Sequence, residues 1–313
     1  MLRTVALTGA TGFVGSVIAR HLQSQGWHVK ALVRPTSRVQ RLSGLKVDAV
    51  SGHLEDEPGL EQLVRGVDAV VHCAGAVRGT RPDDFQRVNA SAVSRLARIA
   101  SEQRPTPRFI LISSLAARLP EVSPYADSKR RGEVALVESC GDMGWAVLRP
   151  PAIYGPGDRE MMPLLRWAAR GVAPCLGHRR ARFSLLYVDD LARAVVALLK
   201  ADCLAAGGGI YELHDGRHAG YRWDDVLDVV SHVCQRPVLR IPVPSAVLQV
   251  AAVANVFASR LFGRMPMLTP GKVRELRHGD WVCDNTRVAH ALGWLPRMSL
   301  EEGLRVTLGL PGR

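Results

Sequence analysis

Short apolar runs alternate with longer amphipathic stretches through the first half of the chain. Six runs rich in Val, Ile and Leu are almost continuously apolar, which is typical of strands buried on both faces; they cover residues 4–8, 28–33, 46–50, 69–73, 108–112 and 145–148. Helical periodicity predicts helices over residues 13–25, 83–103 and 124–140, the first closed by Gly26 as a C-cap. This alternation predicts an α/β fold with a doubly wound parallel Rossmann sheet.

The pattern changes after Leu148, where prolines and glycines at 149–157 break regular structure. Residues 184–188 and 189–200 predict one more strand and helix that return to the sheet, and the Ala-Ala-Gly-Gly-Gly segment at 205–209 predicts a flexible linker. The remainder is mostly helical with Pro-rich joints. We therefore predict a Rossmann domain of residues 1–155 plus 181–212, and a smaller substrate domain of residues 156–180 plus 213–313.

The composition is that of an ordinary globular protein, with 313 residues, 47% of them hydrophobic and 22% charged. The chain enters a strand-like run at once, leaving no room for a signal peptide, and its six cysteines form no CxxC pair. A cytoplasmic protein in a reducing compartment is expected. His214 and His218 have HxxxH spacing, but they flank a turn-like Asp-Gly and the sequence offers no third ligand, so no metal site is predicted.

The net charge of +12 is less ordinary and favours an anionic partner. The basic residues are spread along the chain, and only residues 178–182 form a dense cluster. No nucleic-acid motif accompanies them, so nucleic acid is not expected as a partner. Peripheral contact with an anionic membrane, on its inner face, and a simply solvated basic surface both remain open.

Residues 8–15, Thr-Gly-Ala-Thr-Gly-Phe-Val-Gly, connect the first strand to the first helix and predict a dinucleotide site. Gly9 permits a tight turn, Gly12 allows the pyrophosphate to approach the backbone, and Gly15 allows the helix to pack closely, while the helix N-terminus favours the negative charge. The second strand ends in Arg34, with Arg38 nearby and no acidic residue. Arginine suits a 2′-phosphate, so NADP(H) is predicted rather than NAD.

Tyr125 and Lys129 are four residues apart, so in the predicted helix their side chains lie on the same face. A phenol titrates near pH 10, and an adjacent ammonium favours its ionised form, so this spacing predicts a proton donor supported by a lysine. The same lysine can donate to the cofactor ribose. Ser113 and Ser114 follow the fifth strand, where ligands of such sheets bind, and Ser114 can hydrogen-bond a substrate carbonyl.

These motifs resemble the extended or atypical short-chain dehydrogenases/reductases of the epimerase/dehydratase group. The resemblance covers almost the whole chain and rests on TGATGFVG, VVHCAG, the serine pair, YADSK, LRPPAIYGPGD, LLYVDDLARAV, LGWLP and SLEEG. It implies that Ser114, Tyr125 and Lys129 are catalytic. With the residues named above, the predicted cofactor-binding set is Gly9, Gly12, Phe13, Val14, Gly15, Arg34, Arg38, His53, Leu54, Cys73, Ala74, Gly75, Ser113, Pro150 and Ile153. Asn89 is also commonly present in the family, although helix packing explains it equally well.

Three departures from the family pattern bear on the substrate. His53 stands where relatives often carry the Asp that holds the adenine amino group, which leaves that contact in doubt. Relatives acting on nucleotide sugars usually have an arginine five residues before the Val of LLYVDD, and this chain has Phe183 there, with Arg182 one position away. The interval from Ser114 to Tyr125 is also short for a sugar epimerase.

Residues 245–262 predict an unusually apolar helix that is too short for a membrane span, which needs about 20 apolar residues. It is compatible with an interfacial helix, the lip of a lipid tunnel or a buried helix. With the basic surface, it resembles the branch of the family that handles steroids and long-chain lipids, in particular bacterial reductases of 3-oxo sphingoid or ceramide intermediates.

The prediction is an NADPH-dependent reductase of a ketone on a hydrophobic substrate. Two alternatives remain, a nucleotide-sugar epimerase or dehydratase and a non-catalytic dinucleotide-binding subunit. The oligomeric state stays open.

Overall fold

Seven parallel strands form the central sheet of the computed structural model, which describes residues 3–178, 180–201, 208–262, 265–266 and 268–311. The strands of the chain are Thr4–Thr8 (β1), His28–Val33 (β2), Val47–Ser51 (β3), Ala69–His72 (β4), Arg108–Ile112 (β5), Trp145–Arg149 (β6), Ala152–Tyr154 (β7), Val172–Cys175 (β8), Arg182–Phe183 (β9), Leu185–Tyr187 (β10), Gly209–Glu212 (β11), Leu239–Pro242 (β12) and Asp280–Trp281 (β13). The sheet order is β3-β2-β1-β4-β5-β6-β11. This is the doubly wound Rossmann arrangement predicted from the sequence, and all six predicted strands lie within one residue of their predicted ends.

Helices cover both faces of the sheet. They are Phe13–Ser24 (α1), Glu57–Val64 (α2), Pro82–Gln86 (α3), Ala92–Ser101 (α4), Pro124–Ser139 (α5), Met162–Ala169 (α6), Val188–Lys200 (α7), Trp223–Val233 (α8), Ser245–Phe262 (α9), Pro270–Arg277 (α10), Thr286–Leu292 (α11) and Leu300–Leu308 (α12). Successive strand residues alternate between two cores: Val5 and Leu7 face α1 and α7, whereas Ala6 faces α2, α4 and α5. Burial on both faces explains why the strand sequences are apolar throughout.

The helix predicted over residues 83–103 is interrupted. Its α3 portion begins with Pro82 at the first turn, and a π-helical turn at Arg87–Ser91 separates it from α4. The extra residue of a π turn is invisible to a pattern with a period of 3.6 residues. It contains the buried Asn89, whose contacts are described below.

The strand predicted over residues 184–188 does not return to the central sheet, contrary to expectation. β10 pairs with β7 in a separate two-stranded sheet, and the seventh strand of the central sheet is β11, which begins within the predicted linker. Residues 205–207 of that linker lie outside the described residues. Close packing explains the glycines at positions 208 and 209. A Cβ on Gly208 would lie within 3 Å of the Trp145 ring, and a Cβ on Gly209 within 3 Å of the Tyr211 ring.

The C-terminal third is mostly helical, as predicted, with a smaller core of its own around Tyr154, Val226 and Leu304. α9 has the predicted bounds but buries only a narrow stripe, in which Leu248 and Ala252 pack with Val273 of α10 and Ser259 is also buried. Along the described parts of the chain, no helix has the length and apolar character needed to cross a membrane. The predicted division into two domains stays a prediction.

Candidate active site

The glycine loop closes tightly between β1 and α1. Gly9 has φ +74° and leaves no room for a side chain, because a Cβ there would lie 2.7 Å from the Ala74 nitrogen. Gly12 donates its N–H to the Gly9 carbonyl (2.9 Å), and a Cβ on Gly15 would lie 2.1 Å from that same oxygen. Gly15 therefore lets the helix approach the loop itself. Phe13 and Val14 start α1, half-buried against the core.

The end of β4 is fastened to the end of β1. The Thr8 hydroxyl lies 3.0 Å from Nδ1 of His72 and accepts the N–H of Ala74 at 3.2 Å. Burial lowers the pKa of His72 to about 3, so this ring is a neutral structural group. Burial also raises the pKa of the Cys73 thiol to about 12. Residues 73–75 thus run directly beside the glycine loop, as their predicted role requires.

Gly75 brings that segment to Lys129. A Cβ on Gly75 would meet the Lys129 ammonium at 3.1 Å and the Asn89 amide oxygen at 3.2 Å. Asn89 accepts the N–H of Ala76 (2.8 Å) and donates to the Ala76 carbonyl and the Ser128 hydroxyl (both 2.9 Å). Asn89 is therefore a bridge between the π turn, the segment after β4 and α5. These contacts give Asn89 a structural role in this chain.

Lys129 is a buried ammonium with few partners. It is 7% exposed and donates to the Ile112 carbonyl at 3.1 Å. Burial lowers its pKa to about 8, although the charge of Glu133 acts in the opposite direction. No ion pair of Lys129 occurs among the described residues. Its remaining N–H groups are available to a ligand on the cofactor side.

Tyr125 and Ser114 meet at the carboxyl edge of the sheet. Burial raises the pKa of the Tyr125 phenol, a hydrogen bond with Ser114 lowers it, and the charges of Glu275 and Lys272 raise and lower it, respectively. A cation that acts on the phenol in this structure is Lys272, and the influence of Lys129 on Tyr125 stays a prediction. The sequence had no signal for this cation, because it lies far along the chain on α10.

Ser113 has a role inside the fold. Its hydroxyl donates to the buried Glu133 carboxylate at 2.6 Å, and Arg149 donates to both oxygens of that carboxylate at 2.8 and 2.6 Å. The hydroxyl proton of Ser113 is committed to this network, and its predicted cofactor contact stays a prediction. Pro150 is buried directly after β6, and Ile153 is half-buried in β7.

The end of β2 carries the residues predicted to distinguish the two dinucleotides. Arg34 and Arg38 are exposed, and neither guanidinium forms an ion pair within the described ranges. The Ser37 N–H donates to the Arg34 carbonyl at 2.8 Å, so a tight turn fixes the backbone beneath Arg34. His53 is exposed and Leu54 half-buried after β3. The cofactor-binding roles of Arg34, Arg38, His53 and Leu54 stay predictions.

A cleft of about 460 Å³ opens beside Tyr125. One wall is apolar and includes Val253, Val256 and Phe257 of α9; the other carries charged groups from the segment 78–81 and from α10. Sequence reasoning missed the α10 contribution, in which Glu275 accepts the hydroxyl of Ser123, the N-cap of the helix that carries Tyr125. Lys272 donates to Glu275 at 3.0 Å. The sequence signal that could have located this element is Thr269 as an N-cap followed by Pro270 at the first helical position.

The arrangement fits a dinucleotide. Gly9, Gly12 and Gly15 let the loop backbone pack closely at the start of α1, where a helix N-terminus favours phosphate. Lys129 supplies free donors one helical turn from Tyr125. The decisive observation comes from residues 5–213, which match the model of the NAD dependent epimerase/dehydratase family. The chain belongs to this family. It is accordingly an NAD(P)-dependent oxidoreductase of the short-chain dehydrogenase/reductase type.

Relatives in this family have different substrates. The chain is 35% identical to a ceramide reductase of Caulobacter vibrioides (strain NA1000 / CB15N), with 94% of this chain and 96% of the relative covered. It is 25% identical to a UDP-glucose 4-epimerase of Vibrio cholerae over 98% of this chain and 95% of that one. The structure of UDP-glucuronic acid 4-epimerase from Bacillus cereus in complex with UDP-glucuronic acid and NAD superposes with a TM-score of 0.76 at 17% identity, covering 98% of each chain. That structure shares the fold.

Proposed function

We propose that this oxidoreductase uses NADPH to reduce a ketone on an amphiphilic lipid, of the ceramide or 3-oxo-sphingolipid type. The observation that carries the proposal is the cleft in which Tyr125 faces both an apolar wall from α9 and a charged wall from α10. An amphiphile whose ketone lies near its polar end fits this cleft, because its chain can contact the apolar wall while its polar end contacts the charged wall. The similarity to a ceramide reductase along nearly the full length supports the same substrate class.

In the proposed chemistry, Ser114, Tyr125 and Lys129 have separate roles. When bound, the nicotinamide supplies the hydride. Ser114 and Tyr125 hydrogen-bond the carbonyl oxygen of the substrate, and Tyr125 transfers its proton to that oxygen as negative charge develops there. Burial keeps Tyr125 protonated before the reaction, since it raises the pKa of the phenol. Lys129, which donates one N–H to the Ile112 carbonyl, would hold the cofactor ribose with its other N–H groups.

The position of Phe183 argues against a nucleotide-sugar substrate. Its ring lies 5.4 Å from that of Trp223 in an edge-to-face contact within the C-terminal core. Arg182, one position away, donates to the Ala219 carbonyl at 2.9 Å. Neither side chain takes the place of the phosphate-binding arginine seen in the sugar-nucleotide pattern.

A direct test of the substrate class measures NADPH oxidation by the purified protein. A long-chain 3-oxo-ceramide in detergent should be reduced, whereas UDP-glucose should neither react nor raise the melting temperature. Thermal stabilisation by UDP-glucose, with no turnover of the 3-oxo lipid, would favour the epimerase alternative. Cofactor binding without turnover of either class would favour the non-catalytic subunit.

The cofactor preference gives a second prediction. The unmodified protein should bind NADPH more tightly than NADH, and Arg34→Glu should erase or invert the difference. The loss of a charge-assisted hydrogen bond and the added repulsion correspond to about a 10- to 100-fold change in the ratio of dissociation constants. Fluorescence titration with both nucleotides measures this ratio. Arg20→Glu, an exposed arginine on α1, is the matched control, and equal affinities in the unmodified protein would refute the assignment of Arg34.

Membrane contact is the third prediction. The outer side of α9 exposes a row of apolar side chains: Val247, Val250, Val253, Phe257, Leu261 and Phe262. Leu239 and Ile241 of the preceding β12 are exposed as well. So large an apolar surface is unusual on a monomeric protein and suits the interfacial region of a bilayer. Of the predicted basic flanks, Arg180 is exposed. Arg179, Arg264 and the side chain of Arg260 lie outside the described residues.

Purified protein should sediment with vesicles of phosphatidylglycerol and phosphatidylcholine, and high salt should weaken this binding. Phe257→Ser with Leu261→Ser should lower the partition coefficient by about 100-fold or more, because the two side chains together contribute at least roughly 3 kcal/mol on burial. Stability should change little, since the two side chains are 65% and 66% exposed. The control pair Val39→Ser and Val306→Ser removes exposed apolar groups elsewhere. Equal binding by both double variants would contradict the docking of α9.

A further inference from the structure

Outside the catalytic site, His214, His218 and Asp284 come together beyond the carboxyl end of β11. One ligating atom of each residue lies within 4.8 Å of those of the other two. The two imidazole rings are 5.0 Å apart between centroids, with an interplanar angle of 74°. The sequence showed only the two histidines, and the fold adds the carboxylate as a third ligand.

His214 supplies an independent sign of a missing partner. Its side chain is fully buried, and its Nδ1 accepts the Gly216 N–H at 3.0 Å. Its Nε2 is buried and has no hydrogen-bond partner among the residues that the structure describes. An unsatisfied buried polar atom is rare and costly in a native protein. His218 and Asp284 are exposed, so the cluster is open to solvent on one side.

The backbone around these three residues is held in place by other contacts. The Cys283 thiol donates to the Leu213 carbonyl at 3.2 Å, and the Asn285 amide donates to the His214 carbonyl at 3.4 Å. Within the loop, the hydroxyl of Tyr221 donates to the Asp215 carboxylate at 2.6 Å. The two segments are thus fixed against each other before any ion binds, which lowers the entropic cost of binding.

We propose that His214, His218 and Asp284 bind a divalent transition-metal ion of the Zn²⁺ class. Two imidazoles and one carboxylate suit zinc, cobalt or nickel, whereas magnesium and calcium prefer oxygen ligands. Bonds of about 2.0–2.1 Å to a tetrahedral ion place ligand atoms about 3.3 Å apart, so the exposed side chains must close by at most about 1.5 Å. Oδ1 of Asp284 accepts the N–H and hydroxyl of Thr286, and Oδ2 remains for the ion. Water completes the coordination.

The ion would cross-link the loop after β11 to the segment that precedes α11. Untagged full-length protein, stripped with EDTA and dialysed, should bind one Zn²⁺ by calorimetry. At a free concentration of about 100 times the dissociation constant, Zn²⁺ should raise the melting temperature by roughly 5 °C. Co²⁺ should give the visible absorption bands of a tetrahedral site.

His218→Ala and Asp284→Asn should each weaken Zn²⁺ binding at least 10-fold and abolish the thermal shift. His290→Ala, an exposed histidine on the adjacent α11, should bind as the unmodified protein does. Equal binding by His218→Ala would mean adventitious surface binding and would overturn the proposal. Failure of the unmodified protein to bind Zn²⁺ at millimolar concentration would overturn it as well.

Discussion

Tyr125→Phe is expected to lower turnover of the 3-oxo lipid by about 100-fold or more, because it removes the proton donor and leaves the ring in place. The ring should keep its edge-to-face contact with Phe85, whose centroid is 6.2 Å away. NADPH affinity should change little, since the phenol faces the substrate cleft. Stopped-flow measurement of NADPH oxidation, with fluorescence titration of the cofactor, separates the two effects.

Tyr187→Phe is the matched control. Tyr187 is buried beside Tyr154 in the C-terminal core, with ring centroids 5.5 Å apart, and lies in no predicted site. This variant should turn over at a near-normal rate. A near-normal rate for Tyr125→Phe would instead show that another group donates the proton, and Lys272 would be the first to test.

Lys129→Met is expected to abolish measurable turnover and weaken NADPH binding, while stabilising the protein without cofactor. The pKa of Lys129 falls from 10.5 to about 8 on folding, which corresponds to a cost of about 3 kcal/mol for keeping the buried ammonium at neutral pH. The variant also loses the hydrogen bond to Ile112, which offsets about 1 kcal/mol of the stability gained. Urea unfolding at pH 7 should therefore show a gain of about 2 kcal/mol.

The pH dependence of the free energy of unfolding tests the lowered pKa of Lys129. Between pH 8 and 10.5 the unfolded chain binds more protons at this group than the folded chain, so the Lys129 contribution makes stability rise with pH in that window. Lys129→Met should remove this contribution, whereas Lys46→Met, an exposed lysine, should leave the profile unchanged. Lower stability of Lys129→Met at pH 7 would contradict a strained buried ammonium.

The central sheet was predictable because it depends on short-range patterns, and so was the position of Ser114 at the strand end beside Tyr125. Apolar runs locate the strands, and the strand ends fix which loops share an edge. The β11 strand was missed because Gly208 and Gly209 resemble a linker, although their hydrogen side chains allow close packing against aromatic rings. No local pattern distinguishes those two uses of glycine.

Contacts between distant parts of the chain escaped the sequence altogether. Glu275 and Lys272 belong to the cleft only because α10 packs over the start of α5, where Gly271 leaves room for Ser123 and Pro124. In the same way, Asp284 joins His214 through a packing arrangement that no residue spacing encodes. Long-range neighbours of this kind depend on the whole fold.

The narrow attachment of α9 has a consequence for divergence within the family. Leu248, Ala252 and Ser259 are buried and Asn255 donates to the Leu268 carbonyl, while the outer row makes no contribution to the buried core. Substitutions in that row therefore carry little penalty in folding and can accumulate under selection for a different membrane or lipid chain. If the proposed lipid substrate is correct, homologues could acquire new lipid preferences by exchanging this one helical surface, without any change at Tyr125.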